Sequence, residues 1–242
     1  MSTEADGEES HEPTKSDGAT ERDKRQESSL SSGFPGFDDA FLSGGLLPGT
    51  LVGVFSDEFS IGERFAENMS ANRPTYYISF LRSKERITQR AEEKDNFDTS
   101  RVQFYSIEPA NDGDHIDDMF NVLEELDLPS NSTFIITGFN AIEESDKQVI
   151  QEVIEKIKKT VEETDSIGVI HTVDNGDQNN WLLKTLCDTA LKIQHTEKGG
   201  DIRNQLRLER YRGEQTLINE QYIFQLSEDI NTKISVGQSI TT

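Results

Sequence analysis

Leu51-Val52-Gly53-Val54-Phe55-Ser56-Asp57-Glu58-Phe59-Ser60-Ile61-Gly62-Glu63-Arg64 is the stretch on which the fold turns. Leu51 to Phe55 is an apolar run suited to a buried strand; a turn follows, and a helix is expected to start near Ile61. Strand, loop and helix in that order are the layout of a phosphate-binding loop, G-x-x-x-x-G-K-[ST], whose glycines let backbone N–H groups close around phosphates. Its lysine reaches the β/γ-phosphates and its hydroxyl binds magnesium. Here Asp57 stands at the first glycine, Gly62 keeps the second, Glu63 replaces the lysine and Arg64 the hydroxyl residue. Asp57 and Glu58 would lean into a polyanion's pocket, and Glu63 would replace its main cation. At an effective dielectric near 20, unit charges about 4 Å apart interact by roughly 4 kcal/mol, so reversing one sign shifts binding by about 8 kcal/mol before relaxation. A shift of that size removes millimolar or micromolar affinity. Taken alone, the stretch also reads as an ordinary strand and helix, and its flanks decide between the two.

Upstream, Ser31-Ser32-Gly33-Phe34-Pro35-Gly36-Phe37-Asp38-Asp39-Ala40-Phe41 is followed by Gly44-Gly45-Leu46-Leu47-Pro48-Gly49-Thr50. The glycines and prolines mark tight turns, Asp38 can open a short helix carrying Phe37, Phe41 and Leu42, and Gly44-Gly45 ends it. This pattern, at its spacing from the strand, resembles S-T-G-[IF]-P-G-[LF]-D-x-x-x-x-G-G-G-[LI]-P-x-G-[ST] of the KaiC, RadA and GvpD branch of RecA-type ATPases. The resemblance covers roughly residues 31 to 236. It implies an α/β, RecA-like P-loop NTPase fold: a central, mostly parallel sheet flanked by helices, with a C-terminal antiparallel hairpin.

The periodicity downstream agrees with alternating strands and crossover helices. Strands are expected at Thr75 to Phe80, Val102 to Ile107, Thr133 to Thr137, Ile167 to Val173 and Ala190 to His195. Between them lie a charged helix from Ser83 to Lys94 and a helix with Ile116, Met119, Phe120, Leu123 and Leu126 on one face, ending before Pro129. A long helix follows, with Ser145 and Gln148 as its capping box and Val149, Ile150, Val153, Ile154, Ile157 and Val161 on its core side. Trp181 to Cys187 is a short helix, and the alternating runs Asn204 to Tyr211 and Gln221 to Leu226 form the closing hairpin. No internal repeat is visible. The division expected is an acidic disordered tail over residues 1–29, one domain over 30–236 and a flexible C-terminus over 237–242.

The resemblance also says where further working groups would stand. In the family the strand after the P-loop helix ends Y-I-S-T-E-E, its glutamates polarising the attacking water; here Tyr77-Ile78-Ser79-Phe80-Leu81-Arg82 has Leu81 and Arg82 in their place. The magnesium-binding Asp of the Walker B strand is Thr137, a hydroxyl without charge. As ordinary residues, Phe80 and Leu81 pack and Arg82 is a solvated charge at a helix start. A K-x-R-G hairpin of the KaiC group, which reaches a neighbouring subunit's nucleotide, has its counterpart in Arg210 and Arg212. These are either an outward face paired with acid or a finger acting in trans.

The 242 residues carry 46 acidic against 24 basic side chains, a formal net charge of -22. Such a surface repels nucleic acid and anionic membrane. It is equally the surface of a halophile protein, since molar salt shortens the Debye length to about 3 Å, and a halophilic archaeal source is the reading adopted. No apolar run is long enough to span a bilayer and the first residues are acidic, so a cytoplasmic location is expected. The single cysteine, Cys187, excludes an internal disulfide and a cysteine-based zinc site. His11, His115, His171 and His195 lack metal-ligand spacing. His171, ending its strand, could line the crevice where open α/β sheets bind ligands. Asp112, Asp114, Asp117 and Asp118 read as a loop and a solvated first helical turn.

Phosphate cradle, magnesium ligand and water activator are all replaced, so the function expected is a pseudo-ATPase with no cofactor, metal or catalytic residue. It would act as a regulatory or scaffolding subunit on protein partners: an active KaiC/RadA-type paralogue or copies of itself. The alternatives are an atypical ATP-binding RecA-family ATPase and a DNA-recombination accessory resembling RadA paralogues.

Overall fold

A computed structural model describes residues 29–40, 44–58, 61–70, 73–92, 98–107, 115–142, 145–174, 180–198, 201–211, 223–226 and 235–237. The acidic segment 1–28 and residues 238–242 lie outside them. The chain runs α1 (Pro35–Ala40), β1 (Thr50–Ser56), α2 (Gly62–Asn68), β2 (Thr75–Ser79), α3 (Lys84–Glu92), β3 (Val102–Ser106) and α4 (His115–Glu125). It continues with β4 (Thr133–Thr137), α5 (Lys147–Glu163), β5 (Ile167–Val173), α6 (Asn180–Leu186), β6 (Thr189–Lys198), β7 (Asp201–Tyr211), β8 (Ile223–Leu226) and β9 (Ser235–Gly237). None of the described helices is long and apolar enough to cross a membrane.

The nine strands among the described residues join one sheet in the order β3-β2-β4-β5-β1-β6-β7-β8-β9. From β3 to β6 neighbours are parallel, and β7, β8 and β9 are added antiparallel. The expected pairing of Asn204–Tyr211 with the last alternating run is present, Asn204 opposite Leu226. The larger hairpin is the one between β6 and β7, and β9 is a further strand that periodicity did not reveal. Alternation along β1 divides the core. Val52 and Val54 join Phe34, Phe37, Phe65 and Met69 on one face, while Leu51 and Phe55 join Phe134, Ile136, Ile154 and Ile157 on the other. A sheet covered on both faces needs apolar residues at successive strand positions, which is why the centres of β1 and β4, Leu51–Phe55 and Phe134–Ile136, read as hydrophobic runs.

Two local expectations are corrected. The N-cap of α5 is Asp146, whose Oδ1 accepts the Gln148 N–H at 2.8 Å, so the cap is one residue later than a Ser145 capping box would place it. Asp38 does not open its helix but sits inside α1, where its carboxylate accepts from the Ser31 hydroxyl (2.6 Å) and the Ser32 N–H (2.8 Å), fixing the turn ahead of the helix. Arg73 ties that turn to the sheet by donating to Ser31 O, Met69 O and Thr133 Oγ1. Burial lowers its guanidinium to about 10, with the Asp38 charge pulling the other way.

At the start of β6, Asp188 is 4% exposed; its Oδ2 accepts the Leu51 N–H at 3.0 Å and its Oδ1 the Lys158 ammonium at 2.9 Å. It therefore joins β1, β6 and α5 through one side chain. Removing it takes the side-chain acceptor from the buried Leu51 N–H and leaves the half-buried Lys158 ammonium only the Leu186 carbonyl, at 3.3 Å. Asp188→Ala is accordingly expected to lower unfolding stability by about 2–4 kcal/mol, measured by urea denaturation at the protein's native salt; an unchanged midpoint would contradict this account of the junction.

Candidate functional site

The carboxyl ends of β1, β2, β4 and β5 bound the crevice where open α/β sheets place their ligands. Helix α2 closes down on this edge at Gly62. A Cβ there would stand 2.3 Å from Ser56 Cβ and 3.0 Å from His171 Nε2, so only glycine lets the helix rest on β1 and β5. Gly62 is thus required by packing, independently of any phosphate. Below it, Ser56 Oγ and His171 Nε2 are 2.9 Å apart and both residues are buried.

Glu63, at the lysine position of the loop pattern, receives Arg82 Nε on both carboxylate oxygens, at 3.2 and 2.9 Å. The Glu63 side chain is 12% exposed and that of Arg82 42%. Arg82 is thus exposed, as a solvated charge would be, and also paired: from the turn after β2 it reaches the Glu63 carboxylate on α2. The Ser79 hydroxyl holds the turn by accepting the N–H groups of Leu81 (3.2 Å) and Arg82 (3.0 Å). Phe80 is buried as expected, but Leu81 is 48% exposed. It rests on Gly138, where φ is +76° and a Cβ would come within 2.3 Å of Leu81 Cγ. Arg64 is half-buried on α2.

Thr137, at the Walker B aspartate position, is fully buried and lies between Tyr77 Oη (3.1 Å) and Ser79 Oγ (3.2 Å). Tyr77 Oη in turn donates to Glu67 Oε1 at 3.1 Å. A polar chain therefore runs from α2 through β2 and β4 to the Ser79–Arg82 turn. On the other flank Asp57 Oδ2 accepts from the backbone N–H and from Nδ1 of His195, both at 2.8 Å, which pins the loop to β6; Glu58 is exposed beside it.

Three features had no signal in the sequence. Asp174, just past β5, gathers Lys192 (3.1 Å), Lys184 (3.4 Å) and Asn180 (3.1 Å). Burial alone would raise its carboxyl, but the bonds from Lys192 and Asn180 and the charge of Lys184 hold it at about 2. Lys184 also lies 4.9 Å from the centre of the Phe55 ring. The Glu67–Tyr77–Thr137 chain and the His195 clamp likewise join residues far apart in sequence. Arg210 Nη1 donates to the carbonyls of Lys184 and Thr185, capping α6 from β7, while Arg212 lies outside the described residues. Asp112 and Asp114 lie outside them too, and Asp117 and Asp118 occupy the first turn of α4. Cys187 is buried, and burial pushes its thiol up to about 11, against small opposing effects from the Gly53 backbone and Arg210.

Burial lowers the His171 imidazole from 6.5 to about 4, with a weaker upward pull from the Glu63 charge. The fold thus favours neutral His171, and its contribution is complete above pH 6.5 and lost as pH falls towards 4. Between pH 7 and 4.5 this costs about 2–3 kcal/mol. Urea midpoints at the two pH values should fall less for His171→Asn than for the parent protein; an equal fall would assign the acid sensitivity elsewhere.

The architecture is that of a solved structure, the KaiC-like protein PH0186 from the hyperthermophilic archaeon Pyrococcus horikoshii OT3. The two superpose with a TM-score of 0.66 over 87% of this chain and 99% of that chain at 14% sequence identity. At that identity the likeness shows the fold, a KaiC-like RecA fold with a mostly parallel sheet. No curated protein matches the sequence. The profile of the family of unknown function DUF7125 matches residues 29–239, and the chain belongs to that family.

Proposed function

We propose that this protein is a RecA-fold pseudo-ATPase that works as a regulatory or scaffolding subunit through protein contacts. The observation that carries the reading is the pair between Glu63 and Arg82, in which an acid at the phosphate-cation position is held by a base at the water-activating position. Arg82 is substantially exposed, so the pair itself contributes on the order of 1 kcal/mol. Its weight in the argument comes from the sign of the charge. A triphosphate entering here would meet Glu63 and Asp57, with Arg82 and His195 already engaged by them. Thr137 brings no charge for magnesium, and its hydroxyl is committed to Tyr77 and Ser79.

Protein contact is supported by what the crevice rim exposes. Leu81, beyond β2, and Trp181, where α6 follows β5, are 48% and 53% exposed, the large hydrophobics most open to solvent among the described residues. Both stand on connections that leave the carboxyl ends of strands. A tryptophan displayed beside a polar rim has the character of an interface anchor. The partners proposed are a KaiC/RadA-type paralogue or further copies of this chain.

Calorimetric titration with Mg-ATP and Mg-ADP at native salt should give no saturable heat up to about 1 mM, where binding is worth only some 4 kcal/mol. Micromolar binding, or ATP turnover abolished by Glu63→Ala or Thr137→Ala, would instead establish an atypical ATPase. The protein recovered from its own cells should carry a stoichiometric protein partner or self-associate, and the double variant Leu81→Ser, Trp181→Ser should lose that association while keeping its urea midpoint. Specific retention of single-stranded DNA at the same salt would move the reading to a recombination accessory.

A further inference from the structure

The opposite edge of the sheet holds a cavity of about 330 Å³ that no part of the proposed function uses. It lies where β1 and β6 begin and β7 ends, bounded by Pro48, Gly49, Glu162, Asp188, Thr189 and Tyr211. Its volume is at the lower end of the range for small-ligand pockets. We propose that it binds a small organic monocation, a primary ammonium on a short aliphatic body.

The charge at the cavity selects the sign. Glu162 and Asp188 bring carboxylates and no lysine, arginine or histidine is among the lining residues. Asp188 is balanced by Lys158, which reaches its Oδ1 from α5, so the net negative charge comes from Glu162. Glu162 stands in the last turn of α5, a turn without a basic residue, where the carbonyl end of the helix adds partial negative charge. A second, independent sign is the Thr189 hydroxyl. Thr189 is fully buried, lines the cavity, and its Oγ1 has no hydrogen-bond partner among the described residues. A buried hydroxyl left unpaired costs on the order of 1–3 kcal/mol, which a ligand N–H donor would recover. Leu47, Pro48 and the Tyr211 ring supply apolar wall for an alkyl body of a few carbons. Gly49, with φ at +76°, keeps the mouth open against Glu162, whose Cα would lie 3.3 Å from a Cβ placed there.

The probe is n-butylammonium, added to the full-length protein at fixed ionic strength, with 1-butanol and butyrate as neutral and anionic controls. Expected are saturable NMR shifts at the amides of Gly49, Thr50 and Thr189 with n-butylammonium alone. Glu162→Gln should weaken binding by about fivefold, the discount for an exposed carboxylate, and Thr189→Val should weaken it by about the same factor. Glu163→Gln removes the same charge from the next residue, which pairs with Lys159 away from the cavity, and should leave the affinity unchanged. The proposal is overturned if no saturable shift appears at these amides, if either control binds equally, if Glu162→Gln or Thr189→Val leaves the affinity unchanged, or if Glu163→Gln lowers it as much. None of these outcomes depends on whether the crevice at the other edge accepts nucleotide.

Discussion

Helix α2 rests on the ends of β1 and β5 with no side chain between them at Gly62, and the arrangement of the crevice depends on that close approach. With Ser56 Cβ 2.3 Å and His171 Nε2 3.0 Å from where a Cβ would be, any larger residue would lift the helix from the sheet. Lifting it would carry Glu63 away from Arg82 and Glu67 away from Tyr77, since both acids are borne on the same seven-residue helix. The loop and the polar chain beneath it are therefore one mechanical unit. A phosphate-binding loop keeps this glycine so that backbone can approach an anion; here it admits the backbone of α2 to a serine and a histidine.

The electrostatics of the crevice follow. A loop with Asp57, Glu58 and Glu63 has the sign opposite to the one a polyanion needs, and left alone these acids would repel one another. The chain meets them from both sides: the Arg82 guanidinium from the end of β2 pairs with Glu63, and the backbone N–H and Nδ1 of His195 from β6 donate to Asp57. Asp174, a short step away, is met by Lys184 and Lys192 in the same manner. Pairing of this kind contributes little stability per exposed pair. It does fix geometry, because each base bridges an acid on a different element: α2 to the turn after β2, the loop after β1 to β6, and β5 to α6 and β6.

Much of the fold was legible in the sequence. Parallel strands covered on both faces show as unbroken apolar runs at Leu51–Phe55 and Phe134–Ile136, and α5 buries Ile150, Val153, Ile154, Ile157 and Val161 at helical spacing. Boundaries were less legible because capping is local: Asp146 and Ser145 are adjacent and either can accept from the first turn, so only geometry chooses. The positions of Glu63, Arg82 and Thr137 could be placed in the crevice by pattern, yet their partners could not. The Glu63–Arg82 pair spans 19 residues, Tyr77 to Thr137 60, and Asp57 to His195 138. No periodicity reports contacts at such separations. Thr189 and the cavity it lines belong to the same class, because a sequence does not show which hydroxyl will lack a partner.

The threonine at position 137 is best understood together with the acid at position 63. An aspartate in place of Thr137 would put a carboxylate in a fully buried position about 3 Å from Tyr77 Oη, which already donates to Glu67. Tyr77 has one proton to give, so the new acid would face Glu67 across a phenol that can serve only one of them. Two carboxylates sharing one donor in a desolvated space force one to be protonated or leave a charge uncompensated, at a cost of several kcal/mol. Threonine removes the conflict: its hydroxyl donates to Ser79 and lies against Tyr77, completing a neutral link between Glu67 and the turn that presents Arg82. With Glu63 and Arg82 paired, Thr137 joins the Glu67–Tyr77 bond to the Ser79 turn without adding a charge to this buried chain.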